Sequence, residues 1–537
     1  MNQNPNTYPH PSRRMVQYAQ KGMVATSQPL AAQAGLDILK NGGNAIDAAI
    51  AAAATLTVVE STSNGIGGDV FALIWIEKER KLHGLNASGK APMGITLEKM
   101  RDAGHDTMPK MGYAPVTVPG APSAWADLSA KFGNLPLTDT LKPAINYARY
   151  GFPISPAVGY FWERAAVAYA KNQGAEFDGW QATFTKNGKA PQIGDIWKLE
   201  GHANTLEELS KTNAASFYTG ALADEIATHA AKHGGYITKE DLVAHKNSWD
   251  APISVNYRGY DVWEMPPNGQ GIAALIALNT LKTWDFTHRD CELSLHRQFE
   301  AMKLAFAATK YHVTDPAHMQ FDPADLLSET FAEKLRYQIT DTAGEPLVHA
   351  PTPGGTVYLC AADGEGNMIS FIQSNYMGFG SGIVVPGTGI ALQNRGADFS
   401  LDPTHPNALS GGKKTLHTII PGFMTKDGQA VGPFGVMGGY MQPQGHLQMV
   451  MNTVDFGLNP QASLDAPRWQ WMEGKNFTIE HGFPMHIAQG LARRGHNISV
   501  ALDSGGFGRG QIIWRNSQNG VLIGGCEPRC DSSIACY

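Results

Sequence analysis

From Thr26 to Pro92 the spacing of apolar and polar positions changes three times, and each change predicts an element. In TSQPLAAQAGLDILKNGG, Leu30, Ala34, Ile38 and Leu39 recur at helical spacing and form one apolar face. Thr26 or Ser27 is placed to cap that helix, Pro29 suits its first turn, and Gly42-Gly43 ends it. Asn44 caps a second helix, AIDAAIAAAATLTVV, which is apolar almost all round and so belongs against a sheet or another helix. After the turn NGIGGD the pattern becomes strand-like, with one strand over Val70–Glu77 and a second leading into Ser88–Pro92.

The middle third, from about Pro115 to Thr340, is mostly helical in composition, with Pro and Gly breaks and no chemical motif that can be read from it. The last third alternates short strands with Gly-rich turns, and no internal repeat or low-complexity tract is present. Helices in front and strands concentrated behind predict a layered α+β fold. Between them EPLVHAPTPGG carries Pro351, Pro353, Gly354 and Gly355, and reads as an exposed connector running into a strand.

Composition narrows the function. The chain has 537 residues, 43% apolar and 17% charged, enough for a large core and against disorder. A formal charge of −6 with no basic stripe argues against a nucleic-acid partner. The opening MNQNPNTYPHPSRRMVQYAQ has no apolar core of a secretory signal, and the run Ala45–Val59 is short and contains Asp47. A cytoplasmic protein with no membrane partner is expected. Cys526, Cys530 and Cys536 crowd the C-terminus, but their C-x3-C-x5-C spacing is not that of a zinc site, so reduced thiols are expected. The 18 His are scattered, with no H-E-x-x-H, and NGIGGD lacks the Lys-Ser/Thr ending of a phosphate loop. Neither metal nor cofactor is called for.

The remaining candidate chemistry is in GGTVYLCAADGEGN, which starts at Gly354. A threonine hydroxyl needs an adjacent base to act as a nucleophile, and a chain's own α-amine, with a pKa of about 7.7, can serve. Thr356 would gain that amine only if the Gly355–Thr356 bond broke, and glycine before the bond permits the backbone such a self-attack requires. On composition alone, Gly-Gly-Thr is equally an ordinary entry into a strand.

The run TVYLCAADGEGN resembles the start of the small subunit in the γ-glutamyltransferase family of self-cleaving N-terminal-nucleophile hydrolases. The resemblance covers nearly the whole chain. GMVATSQPLAAQAGLDILKNGGNAIDAA is similar to that family's opening helices, FGSGIVVPGTGIALQNRGADFS and VMGGYMQPQ to its substrate-site loops, and NTVDFGLNPQASLDAPRWQW to its closing helix. It implies a four-layer αββα sandwich, with residues 1–355 as large subunit and 356–537 as small subunit, interlocked after cleavage and open to pairing as a homodimer of heterodimers. It implies no cofactor. Carried over residue by residue, Thr356 is the nucleophile and Ser374 its hydroxyl partner. Gly438 and Gly439 supply the oxyanion N–H groups, Asp398 holds a substrate amino group, and Asn394 lies in the same binding loop.

This sequence departs from the glutamyl-transferring pattern in the grip on the amino acid. Ser88, in LNASGKAP, stands where those members have an arginine, with Lys90 nearby; His417 and Thr418 replace paired serines; Tyr376 replaces an asparagine and Arg395 a glutamine. Tyr376 and Arg395 resemble instead the oxamate amidohydrolase branch, and Arg395, Lys90 or His417 is placed to receive a small carboxylate. The expectation is a self-cleaving amidohydrolase acting on a small amide, oxamate being one candidate. A γ-glutamyl transpeptidase acting on glutathione and an unprocessed binding protein are the alternatives.

Overall fold

A computed structural model describes residues 14–346 and 355–537. The first thirteen residues of the polar opening and connector residues 347–354 lie outside the described residues.

Two seven-stranded sheets form the centre. In spatial order the first contains Ser533–Cys536, Gly22–Thr26, Gly355–Asp363, Met368–Tyr376, Asp69–Ile76, Lys81–Ala87 and Ser248–Asp250. The second contains Gln17–Ala19, Leu522–Cys526, Arg509–Arg515, Gln429–Met437, Gly422–Lys426, Tyr260–Glu264 and Ile253–Tyr257. Neighbours in both are antiparallel. The sheets face each other across a core that includes Phe71, Leu73, Tyr358, Ile372, Phe423 and Ile513. Helices Pro29–Lys40 and Ala45–Val59 cover the first sheet, and Ile272–Leu281 and Met441–Val454 cover the second. This is the αββα sandwich that the resemblance implies.

The Ala45–Val59 helix is buried at every position, as an all-round apolar helix must be. Burial of each large aliphatic side chain on it contributes about 1.5–3 kcal/mol. Asn44 caps it through Ile46 and Asp47 N–H, and the Asp47 carboxylate returns to Asn44 N–H to complete a capping box.

Four expectations are corrected. Neither Thr26 nor Ser27 caps the first helix; Gln28 does, accepting from Leu30 and Ala31 N–H. Thr26 is held in a strand paired on both sides, and the Ser27 hydroxyl donates to Glu60 at 2.5 Å. Strands are not concentrated at the back: Gly22–Thr26 and Asp69–Ile76 flank the central hairpin Gly355–Tyr376 in one sheet, because its exposed edges need partners from elsewhere in the chain. The run Asn452–Trp471 is not one helix. It finishes Met441–Val454, turns at Gly457, forms the short helix Pro460–Asp465 and enters the strand Trp469–Glu473.

Nor are the histidines all scattered. His296, Glu300 and His496 meet in the core. His296 Nε2 donates to the Thr340 carbonyl at 2.7 Å, so its Nδ1 accepts from His496 Nε2 at 2.8 Å. Glu300 pairs with Lys303 at 2.6 Å and accepts from Gly344 N–H at 3.1 Å, while Lys303 donates to the Gly344 carbonyl. These groups anchor the segment that leads to the connector. Among the described residues no helix is long and apolar enough to cross a membrane.

Candidate functional site

Thr356 is the second residue of the Gly355–Asp363 strand, buried near the middle of the first sheet. Gly355 stands opposite Tyr376 and Val357 opposite Gln373, so Thr356 alone faces the two residues Ser374 and Asn375. Such a bulge bends the strand and re-aims its side chains. Ser374 Oγ comes to 3.0 Å from Thr356 Oγ1. Both hydroxyls also reach the Gly355 carbonyl, Thr356 Oγ1 at 2.7 Å and Ser374 Oγ at 2.8 Å. Gly355 has no room for a side chain, since a Cβ there would lie 2.8 Å from Gly378 N.

The strand ends on a strained residue. Tyr376 adopts φ +74°, which costs a non-glycine residue about 1–3 kcal/mol, and its N–H donates to Ser374 Oγ at 2.8 Å. This turn lays the Tyr376 ring against Arg395, whose guanidinium carbon sits 4.0 Å from the ring centre. The Tyr376 hydroxyl donates to Asp398 Oδ1 at 2.7 Å, Tyr440 OH lies 3.4 Å from the same oxygen, and Arg395 Nη1 reaches Asp398 Oδ2 at 3.1 Å. Burial pushes the Asp398 carboxyl up, opposed by Arg395 and the Tyr376 hydroxyl. Arg395 Nη1 also donates to Thr418 Oγ1 at 2.8 Å. Arg395 is only 1% exposed, and its Nε and Nη2 have no hydrogen-bond partner among the described residues.

His417, beside Thr418, is committed elsewhere. Its Nδ1 accepts from Ile419 N–H at 3.3 Å, so Nε2 carries the proton and donates to Asp69 Oδ2 at 3.0 Å. Burial, reinforced by Arg395 and Lys414, holds its pKa well below the usual histidine range, so the ring is neutral. Asp69 is fully buried, which raises it to about 7, and its other oxygen accepts from Gln393, Gly89 and Gly120. Asn394 shapes the loop: its Oδ1 accepts from Met377 N–H and its Nδ2 donates to the Lys110 carbonyl. Lys90 stands apart. With Ser88 it lines a cavity of about 360 Å³ whose walls include His245, Lys246 and Lys414.

Gly438 and Gly439 turn the chain from the Gln429–Met437 strand into the Met441–Val454 helix, at φ +141° and +58°. Their carbonyls accept from Met441 and Gln442 N–H. The Gly439 carbonyl also accepts from Gln270 Nε2 at 3.0 Å, and the same nitrogen donates to the Thr418 carbonyl at 2.7 Å. Gln270 N–H donates to the His417 carbonyl at 2.9 Å. One buried side chain thus ties the double-glycine turn to the loop that holds Arg395.

Sequence reading missed Gln270 and Lys310, both from the middle third, and Tyr440, which sits inside a quoted motif. Lys310 Nζ lies 4.7 Å from the centre of the Tyr440 ring. Burial lowers its ammonium to about 8 against the pull of Asp398. No local pattern marks Gln270 or Lys310; an amide in the turn before Ile272–Leu281 and one of several charged residues on Glu292–His312 look like surface residues. The double glycine before Tyr440 was the available signal for the third.

Comparison with known proteins accounts for the assembly. Residues 31–537 match the family model described as gamma-glutamyltranspeptidase. The chain is 35% identical to the glutathione hydrolase-like YwrD proenzyme of Bacillus subtilis (strain 168), over 96% of this chain and 98% of that one. It is also 35% identical to the oxamate amidohydrolase proenzyme of Klebsiella pneumoniae, over 96% and 98%. A solved structure of cephalosporin acylase from Bacillus halodurans superposes with a TM-score of 0.96 at 57% identity, covering 99% of both chains. The chain belongs to the γ-glutamyltranspeptidase family and is a hydrolase with the N-terminal-nucleophile fold.

Proposed function

We propose that this protein cleaves itself between Gly355 and Thr356 and then hydrolyses amides whose acyl half carries a carboxylate but no amino group. The observation that carries this reading is the state of the acyl pocket. Asp398, which would hold a γ-glutamyl amino group, is filled by Tyr376 and Arg395. Arg395 keeps two buried donors unpaired, at a cost of about 1–3 kcal/mol that an arriving carboxylate would offset.

The hydroxyl arrangement supports self-cleavage. Each hydroxyl has one proton. If Ser374 donates to the Gly355 carbonyl, it accepts from Thr356 Oγ1 and from Tyr376 N–H. The carbonyl is then polarised while the Thr356 oxygen is relieved of its proton. Addition of Oγ1 to the Gly355 carbonyl carbon, passage of the threonine hydroxyl proton by way of Ser374 to the Thr356 nitrogen, and rupture of the C–N bond leave an ester and a free α-amine. Water hydrolyses the ester, separating residues 1–355 from 356–537. In turnover the α-amine takes the hydroxyl proton as Oγ1 attacks the substrate carbonyl. Gly438 and Gly439 N–H groups face the oxyanion, the ammonium protonates the departing amine, and water releases the acid.

The proenzyme names of relatives support a cleaved precursor, and the oxamate amidohydrolase and cephalosporin acylase among them show that acyl groups other than γ-glutamyl are named on this fold beside glutathione. Oxamate, a small amide with an adjacent carboxylate, fits the pocket's chemistry. The test is intact-mass analysis of the protein and its Thr356→Ala variant, followed by hydrolysis of oxalyl, succinyl, glutaryl and γ-glutamyl methylamides. Two fragments in the parent and one in the variant are expected, with at least one dicarboxylic amide cleaved more than tenfold faster than the γ-glutamyl amide. One mass in both proteins, or equal use of the γ-glutamyl amide, would overturn the reading.

A further inference from the structure

A guanidinium is planar, so whatever holds Arg395 Nη1 also sets where the free Nε and Nη2 are aimed. Nη1 is held by Asp398, on the same short turn Arg395–Asp398, and by Thr418 from another segment. The two segments are docked in different places. Just ahead of the Asp69–Ile76 strand, the Gly67 carbonyl accepts from Gln393 N–H at 3.0 Å and seats the Arg395 segment. The Thr418 segment is seated through His417, whose N–H donates to the Asn268 carbonyl at 2.8 Å and whose carbonyl accepts from Gln270 N–H. The aim of the guanidinium therefore depends on the spacing of these two segments.

Asp69 joins them. Its side chain is fully buried, and its backbone stands opposite Ser374 on the neighbouring strand. Oδ1 accepts from Gln393 Nε2 at 2.8 Å, two residues before Arg395. Oδ2 accepts from His417 Nε2 at 3.0 Å, one residue before Thr418. Oδ1 also accepts from Gly89 and Gly120 N–H, so donors from four segments converge on one carboxylate, which can only accept.

We propose that Asp69 is a positioning residue for the acyl pocket: it fixes the spacing of the Arg395 and Thr418 segments, and with it the length of the dicarboxylic acyl group that the guanidinium accepts. The inference rests on the proposed amidohydrolase reading. Asp69 acts through Gln393 and His417 and not on the substrate. An arginine held at one place relative to Thr356 suits one chain length best, whereas a loosened one follows several.

The experiment measures KM and kcat of the mature enzyme on the oxalyl, succinyl and glutaryl methylamides. In Asp69→Asn, an oxygen kept toward Gln393, Gly89 and Gly120 sets the amide nitrogen against the His417 N–H, donor to donor. KM for the best substrate should rise about tenfold, kcat should change less than about threefold, and the preference among chain lengths should flatten. Asp69→Asn combined with Arg395→Gln should be no worse than Arg395→Gln alone, because a residue that acts through Arg395 then has nothing left to position. His417→Phe keeps a ring against Phe71 and removes the donor, so it should reproduce the Asp69→Asn pattern and stands in if that variant does not fold. His417→Gln, which keeps a side-chain N–H, should recover part of the loss. Intact masses and melting temperatures establish which variants are folded and self-cleaved. An unchanged KM and length preference in a folded variant, a loss that falls on kcat, or additive losses in the double variant would overturn the inference and leave the amidohydrolase reading standing. A parent enzyme that hydrolyses none of the three amides would instead remove that reading, and this inference with it.

Discussion

The two halves of the proposed site are made from different materials. The half proposed to react, Thr356, Ser374, Gly438 and Gly439, is uncharged, and its hydroxyls are set by the register of two adjacent central strands. The half proposed to recognise the substrate, Arg395, Asp398, Tyr376, Thr418 and Tyr440, is charged and aromatic, and four of these five residues sit outside the strands, on loops and turns. A strand register cannot shift by one residue without turning every side chain to the other face, so the reacting half has few ways to vary. Loops tolerate exchange. That contrast explains how relatives named for glutathione, oxamate and cephalosporin occur on one fold.

If the halves are this separable, changes in one should leave the other's step intact. Ser374→Ala should have the largest effect. It removes the hydroxyl donor on the Gly355 carbonyl and the acceptor beside Thr356, and a lost donor of this kind costs about a hundredfold or more in rate. A time course of intact masses should show uncleaved precursor accumulating. Cleavage at the parent rate would dissolve the proposed relay. Arg395→Gln comes next. Self-cleavage does not use the acyl pocket, so two fragments should form normally, while KM for a dicarboxylic amide rises about ten- to hundredfold. Slowed cleavage in this variant would mean that the halves are coupled.

The same division decides what could be read from the chain alone. The proposed reacting half could be singled out because each part is a short run that can be matched by resemblance, a threonine after two glycines, a serine on the next strand, a double glycine at a strand end, although no run by itself marks the chemistry. The recognising half was legible in its membership and not in its wiring. Asp398, Arg395 and Tyr376 were singled out, yet nothing local says that Tyr376 and Arg395 would occupy Asp398, or that His417 would turn away to Asp69. Those facts depend on loops meeting across the sandwich. The Met441–Val454 helix was hidden for a related reason. Gln442, Gln444 and Gln448 break its apolar period, and all three are buried because they satisfy backbone groups of Ile420, Trp471 and Trp469. A polar residue whose partner is a distant backbone atom looks, in sequence, like a surface position.

Gln270 belongs to that class, and its side chain bridges the two halves, as Tyr376 also does through its N–H to Ser374 Oγ and its hydroxyl to Asp398. Its side-chain nitrogen donates to Gly439 and Thr418 carbonyls, and its backbone N–H to the His417 carbonyl. In Gln270→Ala the Gly439 carbonyl loses one of its two donors, and the turn proposed to aim the oxyanion N–H groups loses its tie to Thr418, which contacts Arg395. The interaction is uncharged and buried, so the expected change is smaller than for Ser374 or Arg395, about 1–1.5 kcal/mol, or roughly tenfold in rate. It should fall on kcat. An oxyanion turn that drifts weakens binding of the transition state more than of the ground state, whereas Arg395→Gln falls on KM. Gln270→Glu should be worse than Gln270→Ala, because it sets a carboxylate oxygen against two carbonyls that had shared one donor. If Gln270→Ala lowers only the melting temperature and leaves kcat unchanged, the bridge is structural, and the two halves are more independent than their shared glutamine implies.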